Sequence, residues 1–235
     1  MSSPIQFEAM AEDALLLRFG ERIEAETNAR VHAAASLLHA HWPELEIVPA
    51  YASLLLRFDP RQWPAQPGRS AHQQLGEAVQ RLLHEPHDAT GTVRSVTIPV
   101  QYGGDAGPDL AEVAALTGIS VDEVIARHAA VEYRVAMLGF APGFPYLLGL
   151  DPRLAVPRRH DPRQRVPAGS VAIGGSQTGI YPAALPGGWQ LIGRTPLRLF
   201  DVHATPPSLL LPGDRVRFRP IDADGYEQLA REAPR

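Results

Sequence analysis

Residues 139–196 read GFAPGFPYLLGLDPRLAVPRRHDPRQRVPAGSVAIGGSQTGIYPAALPGGWQLIGRTP, and this stretch decides the fold. It holds ten of the chain's 20 glycines and nine of its 23 prolines. Proline fixes φ and removes a donor, whereas glycine opens positive φ, so a mixture this dense sets its turns one by one. Phe140, Phe144, Tyr146, Val171, Ile173, Tyr181, Trp189 and Ile192 run through it. A disordered Pro/Gly linker lacks such residues, so the stretch reads as an ordered, shaped surface of short strands and turns.

Outward from it, residues 215–219 and 197–200 alternate polar with apolar, and Pro212-Gly213-Asp214 is a turn before the last strand. An all-β, closed or nearly closed sheet is expected over 95–222, with a polar tail at 222–235 forming a short helix or a frayed end. Upstream, a short helix over 109–116 closes at Gly118, and Ser120-Val-Asp-Glu123 is a capping box opening a second helix to about Ala130. The N-terminal part reads strand 14–19, helix 21–41, strands 46–51 and 53–58, helix 71–83 ending before Pro86, and strand 93–102 after Gly91. That order predicts a βαββαβ-like α+β domain at 1–93 with both helices on one face, followed by a mainly-β barrel domain at 94–235.

Composition narrows the function. A net charge of −4 and a pI near 6.1 supply no basic field for nucleic acid or anionic lipid. The N-terminal residues carry acids and no long apolar run, so no signal peptide or membrane span is expected and the cytoplasm is the expected location. Cysteine is absent, which excludes disulfides, thiolate nucleophiles and Cys zinc sites. All 22 cationic residues are arginine. Schiff-base lysines, the P-loop lysine and the kinase β3 lysine are thereby excluded, so nucleotide chemistry must be arginine-based or belong to a partner.

Residues 174–179 have the glycine spacing of a phosphate loop, but Ile180-Tyr181 stands where Lys-Ser/Thr is required. What remains is either a loop whose amides, with Ser176, Gln177 and Thr178, meet a small polar ligand, or a plain β-turn. Arg158, Arg159, Arg163, Arg165 and Arg194 flank it with only Asp151 and Asp161 among them, leaving at least one guanidinium for an anion. Ser170 lacks the nucleophile elbow and reads as structural. His128 and Glu132 lie four apart, as an oriented acid/base pair or as an ordinary helix-end pair. His39 and His41 point to different helix faces and make no metal site. Phe140, Phe144, Tyr146 and Tyr181 line a pocket, a partner surface or the core, whereas Trp189 reads as a loop-borne contact residue.

The ordered blocks 139–147, 149–154, 157–159, 166–175, 177–182, 186–189 and 192–196 resemble the family of bacterial 5-oxoprolinase B subunits, also labelled allophanate hydrolase subunit 1 and sporulation-kinase inhibitor. The resemblance covers essentially the whole chain and is densest over 133–201. It implies a cyclophilin-like barrel behind a smaller α/β domain. It also implies ATP-dependent opening of 5-oxoproline to glutamate, shared with a second cyclophilin-like subunit of the C type and a hydrolytic subunit of the A type. Related domains form the carboxyltransferase part of urea carboxylase.

On that basis ATP, with Mg, sits at a composite site, and phosphorylation of the lactam oxygen makes a better electrophile. The residues assigned are Arg158, Arg163 and Arg194 for the substrate carboxylate or phosphate, with Gly174, Gly175, Thr178, Tyr181 and Trp189 around the substrate. Gln177 and either His128 or Tyr133 are the catalytic candidates, Phe140, Pro142, Phe144 and Tyr146 form the partner interface, and no metal ligand is assigned. The alternatives are a regulatory inhibitor docking on a sensor histidine kinase and a subunit acting on allophanate- or urea-type amides. Proline isomerisation is a weaker third, because fold does not carry function.

Overall fold

The structure, a computed structural model, describes residues 4–64, 66–85 and 93–232. The chain divides into two compact units, Met1–Thr92 and Val93–Arg235. In the first, β1 (Gln6–Ala11), β2 (Ala14–Arg18), α1 (Ala25–His41), β3 (Glu46–Pro49), β4 (Ser53–Arg57) and α2 (Ala71–His84) follow in order. The strands form an antiparallel sheet of order β1-β2-β4-β3. Leu15, Leu17, Leu54 and Leu56 alternate into one core with Val31, Ala34 and Leu38 of α1 and Leu75, Val79 and Leu82 of α2. Those positions are the ones that two-residue and 3.6-residue periods place on a single face.

The expected βαββαβ order is corrected here to ββαββα. β1 gave no periodic signal, because QFEAMA is largely exposed and is held as an edge strand by pairing with β2. The strand expected at 93–102 leaves this sheet and enters the barrel. Pro86 and Gly91, read as boundaries, lie outside the described residues.

The second unit contains β5 (Ser95–Tyr102), α3 (Leu110–Thr117), α4 (Val121–Ala130), β6 (Glu132–Leu138), β7 (Pro145–Leu148), β8 (Arg163–Val166), β9 (Ser170–Gly174), β10 (Gln177–Ile180), β11 (Leu185–Gly187), β12 (Gln190–Arg194), β13 (Arg215–Ile221) and α5 (Ala223–Glu232). Seven strands close a barrel in the order β10-β7-β6-β13-β5-β12-β9, with β9 pairing back onto β10. Every pair is antiparallel except β13 with β5, the last and first strands of the unit. A parallel pair cannot be joined by a hairpin, and here nearly the whole unit is the crossover. β8 and β11 form a separate two-stranded sheet.

Ile98, Val100, Tyr133, Val135, Leu147, Val171, Ile173, Ile180, Ile192, Val216 and Phe218 fill the interior, joined by Val113 of α3 and Val124 of α4. Two local expectations change. Residues 197–200 follow Pro196 and make only one isolated bridge, Phe200 to Ser208, so alternation there found no partner strand. The capping box before α4 is half made: Ser120 accepts from the Glu123 N–H at 3.2 Å, but the Glu123 carboxylate is taken by Arg127 at 2.6 and 2.8 Å. The tail expected at 222–235 forms α5 as far as it is described. No described helix is long and apolar enough to cross a membrane.

Candidate active site

Alternation along β9 and β10 sends Val171, Ile173, Thr178 and Ile180 inward and Ala172, Gly174, Gln177 and Gly179 outward. The glycine stretch 174–179 is the hairpin joining these strands, with Gly175 at φ +64° in a two-residue turn. Of the two readings left open for 174–179, the hairpin turn is the one observed. The Gly175 N–H donates to the Val156 carbonyl at 2.8 Å, and residues 174 and 177–179 are paired in the ladder.

The glycines instead make room for rings. A Cβ on Gly174 would lie 2.6 Å from the Trp189 ring, and one on Gly179 would lie 3.1 Å from the Phe144 ring. The product is a shelf on the outer wall in which Phe144 meets Tyr181 at 5.2 Å and Trp189 at 5.8 Å, while Tyr146 meets Trp189 at 6.0 Å. Edge-to-face geometry at these separations is the favoured arrangement of aromatic quadrupoles.

The rim of this shelf is strained and open. Phe140 has φ +68°, and the Ala141 N–H donates to the Gly139 carbonyl at 2.8 Å, which is a γ-turn of the unfavourable hand. Phe140 stays 60% exposed while resting on Phe144 at 5.3 Å. Of the residues expected at a partner interface, Phe140 and Pro142 are exposed and Tyr146 is half-buried, but Phe144 is buried as the shelf's floor.

Trp189 is likewise buried in the cluster, not a free loop contact, and its ring is covered by the Arg158 guanidinium at 5.8 Å. Arg158 is exposed and makes no ion pair among the described residues. Gln177 stands opposite Gly174, the residue against which Trp189 packs. Tyr181 is also buried; desolvation raises its pKa, partly offset by a backbone hydrogen bond at Trp189, so the phenol stays protonated.

The arginines separate. Arg163 is gripped in bidentate fashion by the buried carboxylate of Asp109, at 2.8 and 2.7 Å. Arg159 reaches the same carboxylate at 3.2 Å, and the Leu191 N–H donates to it at 2.7 Å. Arg163 is therefore withdrawn as a substrate ligand: its fork is spent on Asp109. Arg194 donates to the Ala168 carbonyl at 2.8 Å and lies opposite Ser170, at the far end of β9 from Gly174. Four residue-to-residue steps along the strand separate those ends, about 13 Å, so Arg194 does not join Arg158 and Gln177.

Asp109 was missed as a site residue. It precedes α3 and reads as a helix start, yet its side chain caps nothing and turns to residues fifty or more positions away.

His128 lies inside the barrel, completely buried, stacked on Phe218 at 4.6 Å. Thr178 donates its hydroxyl hydrogen to the Ala172 carbonyl at 3.0 Å, so it accepts from His128 Nε2–H at 3.0 Å. Nδ1 then accepts from the Tyr102 hydroxyl at 2.8 Å. Desolvation drives the His128 pKa down to about 3, keeping the imidazole neutral. Tyr133 donates to the His128 carbonyl at 2.9 Å, and burial pushes its pKa up. His128, Tyr133 and Thr178 are corrected from site residues to interior ones, because none of the three exposes any surface to solvent. Of the catalytic candidates, Gln177 alone faces outward.

The seven-stranded closed barrel is the part of this architecture that solved structures share. The solved structure of K. lactis urea amidolyase superposes with a TM-score of 0.71 at 20% identity, covering 97% of this chain and 15% of that one, a likeness of fold alone. The family described as carboxyltransferase domain, subdomain C and D, matches residues 5–210. The solved structure of TTHA0988 is 43% identical, with a TM-score of 0.74, over 90% of this chain and 40% of that one, so this chain spans about two-fifths of its length. The 5-oxoprolinase B subunit of Bacillus subtilis (strain 168) is 43% identical over 99% of this chain and 100% of its own. The chain belongs to the carboxyltransferase subdomain C and D family and, within it, to the family of 5-oxoprolinase B subunits.

Proposed function

We propose that this chain supplies one wall of an ATP-dependent 5-oxoprolinase site that opens 5-oxo-L-proline to L-glutamate, the other wall and the hydrolytic machinery coming from subunits of the C and A types. The observation that carries this reading is Arg158, a guanidinium held over Trp189 and unpaired among the described residues, with Gln177 in register with Gly174, against which Trp189 packs. Stacking fixes the plane of the fork, and a fixed fork suits a carboxylate. The Gln177 amide then donates to the lactam oxygen as negative charge develops there. Phe140 and Pro142, on the strained rim, meet the partner and exclude water.

Among the described residues no group of three His, Asp or Glu side chains is placed to hold a cation. A nucleotide-bound Mg needs only one or two carboxylates beside the phosphates, and in this reading it comes with ATP to a composite site shared with a partner subunit.

In the reconstituted complex, Arg158→Ala is expected to lower kcat/KM for 5-oxoproline by roughly 10- to 100-fold, the worth of a charge-assisted hydrogen bond of about 1.5–3 kcal/mol. Arg158→Lys should recover only part of this, and Arg194→Ala should stay within about twofold of wild type. Full turnover by Arg158→Ala in a glutamate-release assay removes the claim. The purified chain alone is expected to release no glutamate from 5-oxoproline and ATP; turnover by the isolated chain contradicts the shared site.

A further inference from the structure

Another part of the barrel wall carries charge without matching counter-charge. Because Val216 and Phe218 point inward on β13, Arg215, Arg217 and Arg219 line up on its outer face over about 13 Å. β6 adds Arg134, opposite Arg215 in register, and Glu132, opposite Arg217. Residues opposite in register share a face, where like charges repel.

Glu132 is the one counter-ion among the described residues of this row, at 3.0 Å from Arg217 and 3.8 Å from Arg215. Arg134 and Arg219 make no ion pair among the described residues, and Arg134 Nε is buried without an acceptor. Four arginines thus stand against one glutamate, in a chain whose net charge is −4. Folding brings these cations together and leaves the row with a net positive charge.

We propose that this arginine wall docks an acidic segment of a partner polypeptide. Guanidinium groups at every second residue of a strand repeat at about 7 Å, the repeat of alternate side chains in an extended peptide, so Asp or Glu at alternate positions meets them fork to carboxylate. A nucleotide needs concavity to bury its base, and a sheet face offers a row without a pocket. This deepens the reading of the chain as one member of a complex, by saying where a partner of stated charge attaches.

The test is fluorescence anisotropy with the full chain and a labelled peptide of alternating Glu and Ser. Expected are saturable binding, weakening about tenfold between 50 and 300 mM NaCl, and a further loss of about tenfold in Arg217→Glu/Arg219→Glu. Arg219→Gln, at an exposed position, gives a smaller loss with an unchanged melting temperature and separates charge from misfolding. No binding by the wild-type chain, or equal binding by the double variant, overturns the proposal. So does displacement by stoichiometric ATP or tripolyphosphate, which marks a phosphate site, or self-association of the chain through the same arginines, which marks a second copy as occupant. The readout needs no turnover: a complex inactive on 5-oxoproline in which this chain still binds the peptide counts against the enzymatic reading alone.

Discussion

Asp109→Ala is expected to destabilise the barrel unit by about 3–5 kcal/mol, the cost of breaking a buried ion pair from one side. Asp109 is 4% exposed, and its two oxygens accept from both nitrogens of the Arg163 fork, from Arg159 and from the Leu191 N–H. Removing the carboxylate leaves the Arg163 guanidinium and the Leu191 N–H without their acceptor and leaves Arg159 only the longer contact to Glu112 at 3.6 Å, and it unties α3 from β8 and β12 together. Asp109→Asn keeps an acceptor for Leu191 and should fall between wild type and Ala. In denaturant titration of the barrel unit, Asp109→Ala/Arg163→Ala should cost less than the sum of the two single changes, because the second removes a charge the first has orphaned. A loss below about 1 kcal/mol for Asp109→Ala would show that the knot is not what holds those elements.

The second large effect is acid sensitivity from His128. The imidazole is neutral in the folded chain, with its pKa lowered by burial to about 3. Above the ordinary histidine value near 6.5, folded and unfolded chains bind the same protons at this residue and its contribution is constant. Below it, the unfolded chain takes up a proton that the folded chain refuses, so stability falls as pH drops from about 6.5 towards 3, by up to about 1.4 kcal/mol per pH unit. His128→Phe forfeits the hydrogen bonds to Tyr102 and Thr178 and should be less stable at pH 7.5. The gap to wild type should narrow by about 2 kcal/mol at pH 5, since phenylalanine has nothing to protonate. Unfolding free energies of the two proteins that differ equally at both pH values would refute the assignment. Asp151, whose pKa is lowered first by the Arg153 N–H and then by Arg127, acts in the same direction at lower pH, so pH 5 isolates the histidine.

Legibility in the sequence followed the range of each interaction. Strands 14–19 and 53–58 and the helix over 71–83 were readable, because their apolar spacing directly states which face is buried. β1 was not readable, since an exposed edge strand gets its shape from its neighbour. The segment at 93–102 was correctly a strand but was given to the wrong sheet: local pattern fixes strand character, whereas pairing with β13 is a choice made by residues 120 positions away. At the site, an anion role for one of the flanking arginines rested on how few acids lie nearby in sequence. That tally could not see Asp109, distant along the chain, which takes up Arg163 and Arg159.

The glycines of 174–179 show the same division. Their spacing marked backbone that something approaches closely, and it left open whether a ligand or the chain's own aromatic rings does so. By itself the sequence determined two units, a turn-rich β second half, the exclusion of lysine and thiolate chemistry, and membership of a recognisable family. Only the tertiary structure decided that His128, Tyr133 and Thr178 face a dry interior, that Asp109 neutralises Arg163, and that Arg158 and Gln177 remain on the outer wall. The physical reason is that burial and charge pairing depend on distances in space, which closure of the barrel sets and which residue spacing along a chain does not contain.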